Sequence, residues 1–170
     1  ILTAEENVEE GLTEKPLRLV HFGQQATKAV LFNEGVKQAK GNYLFFLAPD
    51  TELIGADSLE EMLGSCMRKE SGIVGARLYD GEKRIAHAGV IIGLHGLAGA
   101  AFAGFPKTEE DVYSRILSRQ CYSAVTGACM LVKRSVFEAA GGFSEDFGLA
   151  FWDLDFCLRV GALGKRVIYE

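Results

Sequence analysis

Residues 43–48, "YLFFLA", constrain this chain more than any other stretch. Six apolar positions in a row can be hidden from water only if both faces of the element are covered. A run this short, followed at once by Pro49, reads as a strand and not as a helix segment. Strands buried on both faces belong to sheets sandwiched between helices, as in parallel α/β domains. Two carboxylates, Asp50 and Glu52, follow where the strand must end.

The flanking segments fit such a sheet. "LRLVHF" (17–22) reads as a short strand. From Ala26 to Lys40, the positions Ala26, Ala29, Val30, Val36 and Ala39 form a helical stripe, with Gly41 as its stop. "DSLEEMLGSCMRK" opens on a cap at Asp57 or Ser58, with acids early and bases late, the polarity of a helix. "GIVGARLY" and "RIAHAGVIIG" read as strands joined by a turn at Asp80-Gly81, whereas residues 94–118 lack a period and are expected to form a mobile loop. "CYSAVTGACMLVKR" resumes strand character, and "SVFEAAGGF" is a short helix ended by Gly141-Gly142. "FWDLDFCLRVGALG" is helical and "KRVIYE" begins another strand. Strands alternating with helices predict an α/β domain.

Residues 1–16 are acidic and weakly patterned, a linker or peripheral helix, and 17–170 hold the domain. With 170 residues, 48 % of them hydrophobic, the chain suits one domain with a real core. It begins on Ile and ends on "RVIYE", which reads as an unfinished strand, so a piece of a longer protein is expected.

A net charge of −5 offers no basic face for nucleic acid. No apolar run approaches the roughly 20 residues that cross a bilayer. Cys66, Cys121, Cys129 and Cys157 have no C-x-x-C spacing and mostly apolar neighbours, so they read as buried free thiols in a reducing cytoplasm, not as zinc ligands. The glycine-rich "GLHGLAGAAFAG" is not followed by the Lys-Ser/Thr of a phosphate loop.

Two acidic sites remain. Ligands of open α/β sheets gather outside the carboxyl ends of the strands, where Asp50 falls. A carboxylate there either holds Mg²⁺ or Mn²⁺, which take hard oxygen ligands, or caps the turn after Pro49. In "FWDLDFCLR", Asp153 and Asp155 are two apart and on a helix point about 200° from each other. They therefore serve different ends. One faces a cleft, and the other caps the helix or pairs with Arg159. An acid beside Phe151 and Trp152 suits a general base, or serves as a first-turn acid favoured by the helix dipole.

Taken in order, "NEGVKQAKGNYLFFLAPDTEL", "SAVTGACMLVKRSVFEAAGGFSEDF" and "FWDLDFCLRVGALGKRVIY" resemble the family 2 inverting glycosyltransferases. The likeness is greatest to the rhamnosyltransferase-like bacterial branch that builds O-antigen and other surface polysaccharides, and it covers about residues 25–170. It implies a GT-A fold, a mixed, mainly parallel sheet flanked by helices. The fold would be incomplete here, because "ILTAEENVEEGLTEKP" resembles neither the family's first strand nor its nucleotide-base pocket. It further implies a nucleotide-sugar donor, a glycan or lipid-linked acceptor, and Mg²⁺ or Mn²⁺. Peripheral membrane association of the full-length protein and a homodimer through an open sheet edge are also expected, with no nucleic acid partner.

By the same resemblance, Asp50 matches the last acid of the D-x-D metal motif, with Ala48 in place of its first polar member. Asp153 matches the catalytic base of the E-D motif, with Trp152 in place of the preceding acid. Thr126 and Gly127 fall in the segment that borders the sugar pocket, as residues that would touch the donor. Asn33 matches the asparagine before the metal strand, and its own reading is an anchor for backbone groups. Ala100 stands where relatives often carry histidine; His87 and His95 read as structural or solvent-facing. A non-catalytic GT-A-like binding module is the alternative, and a nucleotidyltransferase a third.

Overall fold

The computed structural model describes residues 2–3, 20–21, 26–94, 96–106 and 115–170. In chain order these form β1 (Leu2–Thr3), β2 (Val20–His21), α1 (Lys28–Gln38), β3 (Tyr43–Leu47), α2 (Ser58–Met67), β4 (Ser71–Gly75), β5 (Leu78–Tyr79) and β6 (Ile85–His87). β7 (Val90–Ile92), β8 (Ala98–Ala100), β9 (Gln120–Tyr122), β10 (Cys129–Lys133), α3 (Arg134–Ala139), α4 (Trp152–Ala162) and β11 (Arg166–Tyr169) follow. The principal sheet has the order β3-β10-β4-β11-β9.

Every central strand of that sheet splits its side chains between two helical layers. On β10, Met130 and Val132 join Leu44, Phe46, Ile73 and Val167 beneath α1, α3 and α4. Cys129 and Leu131 point the other way, with Val74 and Ile168, onto Met62 and Cys66 of α2. The first layer is aromatic: Phe143 lies 4.7 Å from Phe156 and 4.8 Å from Trp152, ring centre to ring centre. This two-sided burial is what the unbroken apolar runs anticipate.

The sheet is mixed, but its balance differs from the expectation of mainly parallel strands. Among the described strands, only β4 and β11 run parallel within it; β10 is antiparallel to β3 and β4, and β9 is antiparallel to β11. A continuous apolar run reports burial on both faces, which helices on both sides confer whatever the strand direction. Among the described strands β3 lies at one end of the sheet, with Tyr43 exposed.

Several local expectations change. "GIVGARLY" is two strands, β4 and β5, in different sheets, and α2 has neither a side-chain cap at Asp57 nor a base in its last turn. Leu2–Thr3 is a strand parallel to β2, not a linker or helix; residues 4–16 lie outside the described part. The segment 84–93 is two strands, because Gly89 (φ 96°) breaks it where the Tyr122 ring leaves no room for a Cβ. Residues 98–100 pair with β7, since glycine and alanine make ladder hydrogen bonds without any side-chain period. Gly41 is not the stop of α1. The carbonyls of Val36, Ala39 and Gly41 accept instead from the Arg134 guanidinium at 3.3, 2.8 and 2.7 Å. The start of α1 is capped by Thr27, whose Oγ1 accepts the Val30 N–H.

Candidate active site

Antiparallel pairing sets the site. Leu47 at the end of β3 faces Cys129 at the start of β10, and the Ala48 N–H donates to the Ala128 carbonyl at 2.8 Å. Residues 126–128 are thereby held beside the point where "YLFFLA" leaves the sheet. α4 begins against the same turn. Phe151 takes a left-handed backbone (φ 66°) and brings the Trp152 ring onto Gly127, where a Cβ would lie 2.1 Å from a ring carbon. Between these pieces opens a cleft of about 340 Å³, lined by Lys28 and Phe32 of α1, Ala48, residues 126–128 and residues 149–153. That volume is at the lower end of small-molecule sites.

Asp153 reaches the cleft wall. Its Oδ2 accepts the Gly127 N–H at 2.8 Å and its Oδ1 the Leu154 N–H at 2.9 Å. It is the second residue of α4, where the helix dipole favours a negative charge, and the N-cap residue Phe151 offers no side-chain acceptor. Asp155 is turned away and held by Arg159 through Nε (2.8 Å) and Nη2 (2.7 Å). The two acids part as the helical spacing requires, one to the cleft and one to the arginine.

Thr126 uses its backbone before its side chain. Its N–H donates to Nε2 of His87 at 3.1 Å, and its Oγ1 accepts the Ala128 N–H at 3.3 Å. His87 is 6 % exposed. Burial pushes the imidazole down to about 4, against the opposing pull of the nearby Asp153. Asn33 is the anchor expected of it: its Nδ2 donates to the Phe143 carbonyl at 2.9 Å and to Glu145, while its Oδ1 accepts the Phe143 N–H at 3.0 Å. It fixes the start of the stretch that leads to Leu149–Asp153.

No family model matches the chain. It is 39 % identical over 158 residues to the uncharacterized protein y4gI of Sinorhizobium fredii, covering 92 % of this chain and 17 % of that protein. To the O-antigen biosynthesis protein RfbC of Myxococcus xanthus it is 36 % identical over 137 residues, 80 % of this chain and 11 % of that one. The chain thus spans a small part of the curated relatives it matches. Among solved structures, the mannosyltransferase PcManGT from Pyrobaculum calidifontis, in complex with GDP-Man and Mn²⁺, superposes with a TM-score of 0.57 at 16 % identity, over 90 % of this chain and 39 % of that one. A197 from STIV superposes with a TM-score of 0.52 at 13 % identity, over 91 % and 69 %. The fold is GT-A-like.

Within that fold, the candidate residues are not all in one place. Ala48, Thr126, Gly127 and Asp153 share the cleft wall; Asp50 stands two residues past Ala48, exposed, on the turn closed by the Thr51 N–H to the Ala48 carbonyl at 3.1 Å. No group of three or more His, Cys, Asp or Glu gathers among the described residues. That donor set does not make an all-protein cage, but it fits a hard cation held chiefly by substrate phosphate and water, to which Asp50 would contribute one carboxylate. His95 lies outside the described residues, and Ala100 belongs to β8. Three cysteines are buried and free, whereas Cys121 is exposed on β9, contrary to the expectation for all four. Lys28 lines the cleft without being singled out by the sequence, where its only signal is its place just inside the cap of α1.

Proposed function

We propose that the chain forms the acceptor side and base helix of an inverting glycosyltransferase of family 2, which moves a sugar from a nucleotide-sugar to a hydroxyl acceptor. The observation that carries this reading is Asp153, a carboxylate held by a backbone N–H on the wall of a cleft of small-molecule size. In the transfer, the acceptor oxygen forms a bond to the anomeric carbon while the bond from that carbon to the phosphate oxygen breaks. Asp153 takes the hydroxyl proton, the nucleoside diphosphate leaves with the electron pair, and attack from the opposite face inverts the centre. Mn²⁺ or Mg²⁺ at Asp50 would supply positive charge to the diphosphate.

The similarity to an O-antigen biosynthesis protein supports surface polysaccharide as the product. The fold shared with a mannosyltransferase bound to GDP-Man and Mn²⁺ supports a nucleotide-sugar donor and a divalent ion. Leu149 and Phe151, both exposed, leave that side of the cleft apolar, which suits a lipid-linked acceptor as well as a glycan. Peripheral membrane attachment and pairing of two copies through a sheet edge belong to the same reading. Ala48 and Trp152, in place of the two polar residues of the motifs, favour the second reading, a binding module without turnover.

A panel of nucleotide-sugars offered to the full-length protein, with and without Mn²⁺, separates the two. Transfer by wild type is expected, with turnover lowered at least about a hundredfold in Asp153→Asn and donor affinity retained. Binding without transfer for every donor would establish the module; a loss confined to Asp155→Asn would move the base to that residue.

A further inference from the structure

Three consecutive backbone N–H groups line the turn before β10, and each has its own acceptor. The Thr126 N–H goes to His87 Nε2 (3.1 Å), the Gly127 N–H to Asp153 Oδ2 (2.8 Å), and the Ala128 N–H to Thr126 Oγ1 (3.3 Å). Only the first of these acceptors lies outside the cleft and its turn. His87 ends β6, is buried, and belongs to a segment laced to the same turn a second time, by the Val90 N–H to the Ala124 carbonyl at 2.8 Å. Neighbouring planar peptides share one Cα, so fixing the Thr126 N–H narrows the directions open to that of Gly127.

We propose that His87 is a positioning residue for the cleft: by accepting the Thr126 N–H it orients the Gly127 N–H, and through it the Asp153 carboxylate. The role of Asp153 in transfer rests on the proposed function; the orientation of the turn does not. To accept at Nε2, the ring carries its proton on Nδ1 and is neutral. The deep burial of His87 keeps it so: an imidazolium there would be a desolvated charge presenting a donor to a donor. A side chain of similar bulk without an acceptor leaves the Thr126 N–H orphaned beside Asp153, and the turn relieves this by rotating. Glutamine, which offers a carbonyl oxygen, keeps the acceptor without the ring.

The test compares His87→Phe with His87→Gln in the full-length protein by hydrogen–deuterium exchange and by kinetics. In His87→Phe, amides of residues 124–128 are expected to exchange at least about tenfold faster while those of β10 keep their protection. Turnover is expected to fall at least about tenfold with the donor KM little changed. His87→Gln should restore most of both. Equal loss of protection in β10 would mean that His87 only supports the core, and unchanged exchange at 124–128 would mean that the turn does not depend on it; either result overturns the proposal. A wild type that transfers no sugar would sink the proposed function, and the exchange comparison would still decide the role of His87.

Discussion

Among the described residues, Lys28 and Asp153 are the two charged side chains on the cleft wall, and they carry opposite signs. On the proposed function, the nucleoside diphosphate brings its own negative charge, so the lysine is where its phosphates would gain most, whatever Asp50 would add through a cation. Lys28→Ala should weaken nucleoside diphosphate binding about tenfold, the size of one charge-assisted hydrogen bond, and reduce its salt dependence. Lys28→Arg should keep both. Asp50→Ala should remove only the Mn²⁺-dependent part, so titration calorimetry in Mn²⁺ and in EDTA separates the contributions. Equal affinity of Lys28→Ala and wild type at every salt concentration would show the lysine to be idle. Helical spacing separates Asp153 from Asp155, and the family resemblance, not the spacing, singles out Asp153. The sequence does not mark Lys28, since a lysine in the first turn of an amphipathic helix reads as solvated. His87 is equally silent, because its partner is a backbone N–H 39 positions away, which leaves no trace in local spacing.

Elements meet in the cleft through one close packing, that of α4 on the turn before β10. Gly127 is there for its missing Cβ and not for its dihedral angles, because the Trp152 ring occupies the space a side chain would need. Gly127→Ala is therefore expected to cost about 1–3 kcal/mol, as overpacked cores do. The double variant Gly127→Ala/Trp152→Phe should recover part of that loss, a coupling that denaturant unfolding of the four proteins would measure. Additive losses would mean that the two residues do not meet. At this scale the sequence is legible where one element suffices: α2, α4 and β11 fall where their own residues place them, although Asp57 makes no capping hydrogen bond to α2 and Phe151 has no acceptor to offer α4. The sequence fails where an element is completed from far away. Arg134 closes α1 from the start of α3, and β7 recruits β8 from a stretch with no hydrophobic rhythm.

For the whole molecule, the buried His87 links stability to pH. Its folded value, about 4, lies below the ordinary 6.5, so between those limits the unfolded chain binds the extra proton. Stability should rise with pH across that window, by on the order of 3 kcal/mol for a shift of this size, and flatten above it. Asp153 is the charged group that faces the ring, and its attraction for the imidazolium trims the effect. Glu170 adds a loss of the same sign at lower pH. Burial raises its carboxyl, but hydrogen bonds from Arg119 and Ser65 outweigh that and hold it below the usual range. Thermal unfolding of His87→Gln from pH 4 to 7 should show the His87 part of the slope gone. A slope equal to that of wild type would mean that another group is responsible.

The place of β10 also dictates how this polypeptide must be made. β3 and β4 do not touch within their sheet; the strand between them is synthesised after both, along with everything that separates β4 from Cys129. On a ribosome, β3 and β4 therefore cannot make these pairings until residues 129–133 have been synthesised. In the folded sheet those residues fill the gap and pair with both. Until they do, the nascent chain presents open β edges to its neighbours, and aggregation competes most strongly during translation.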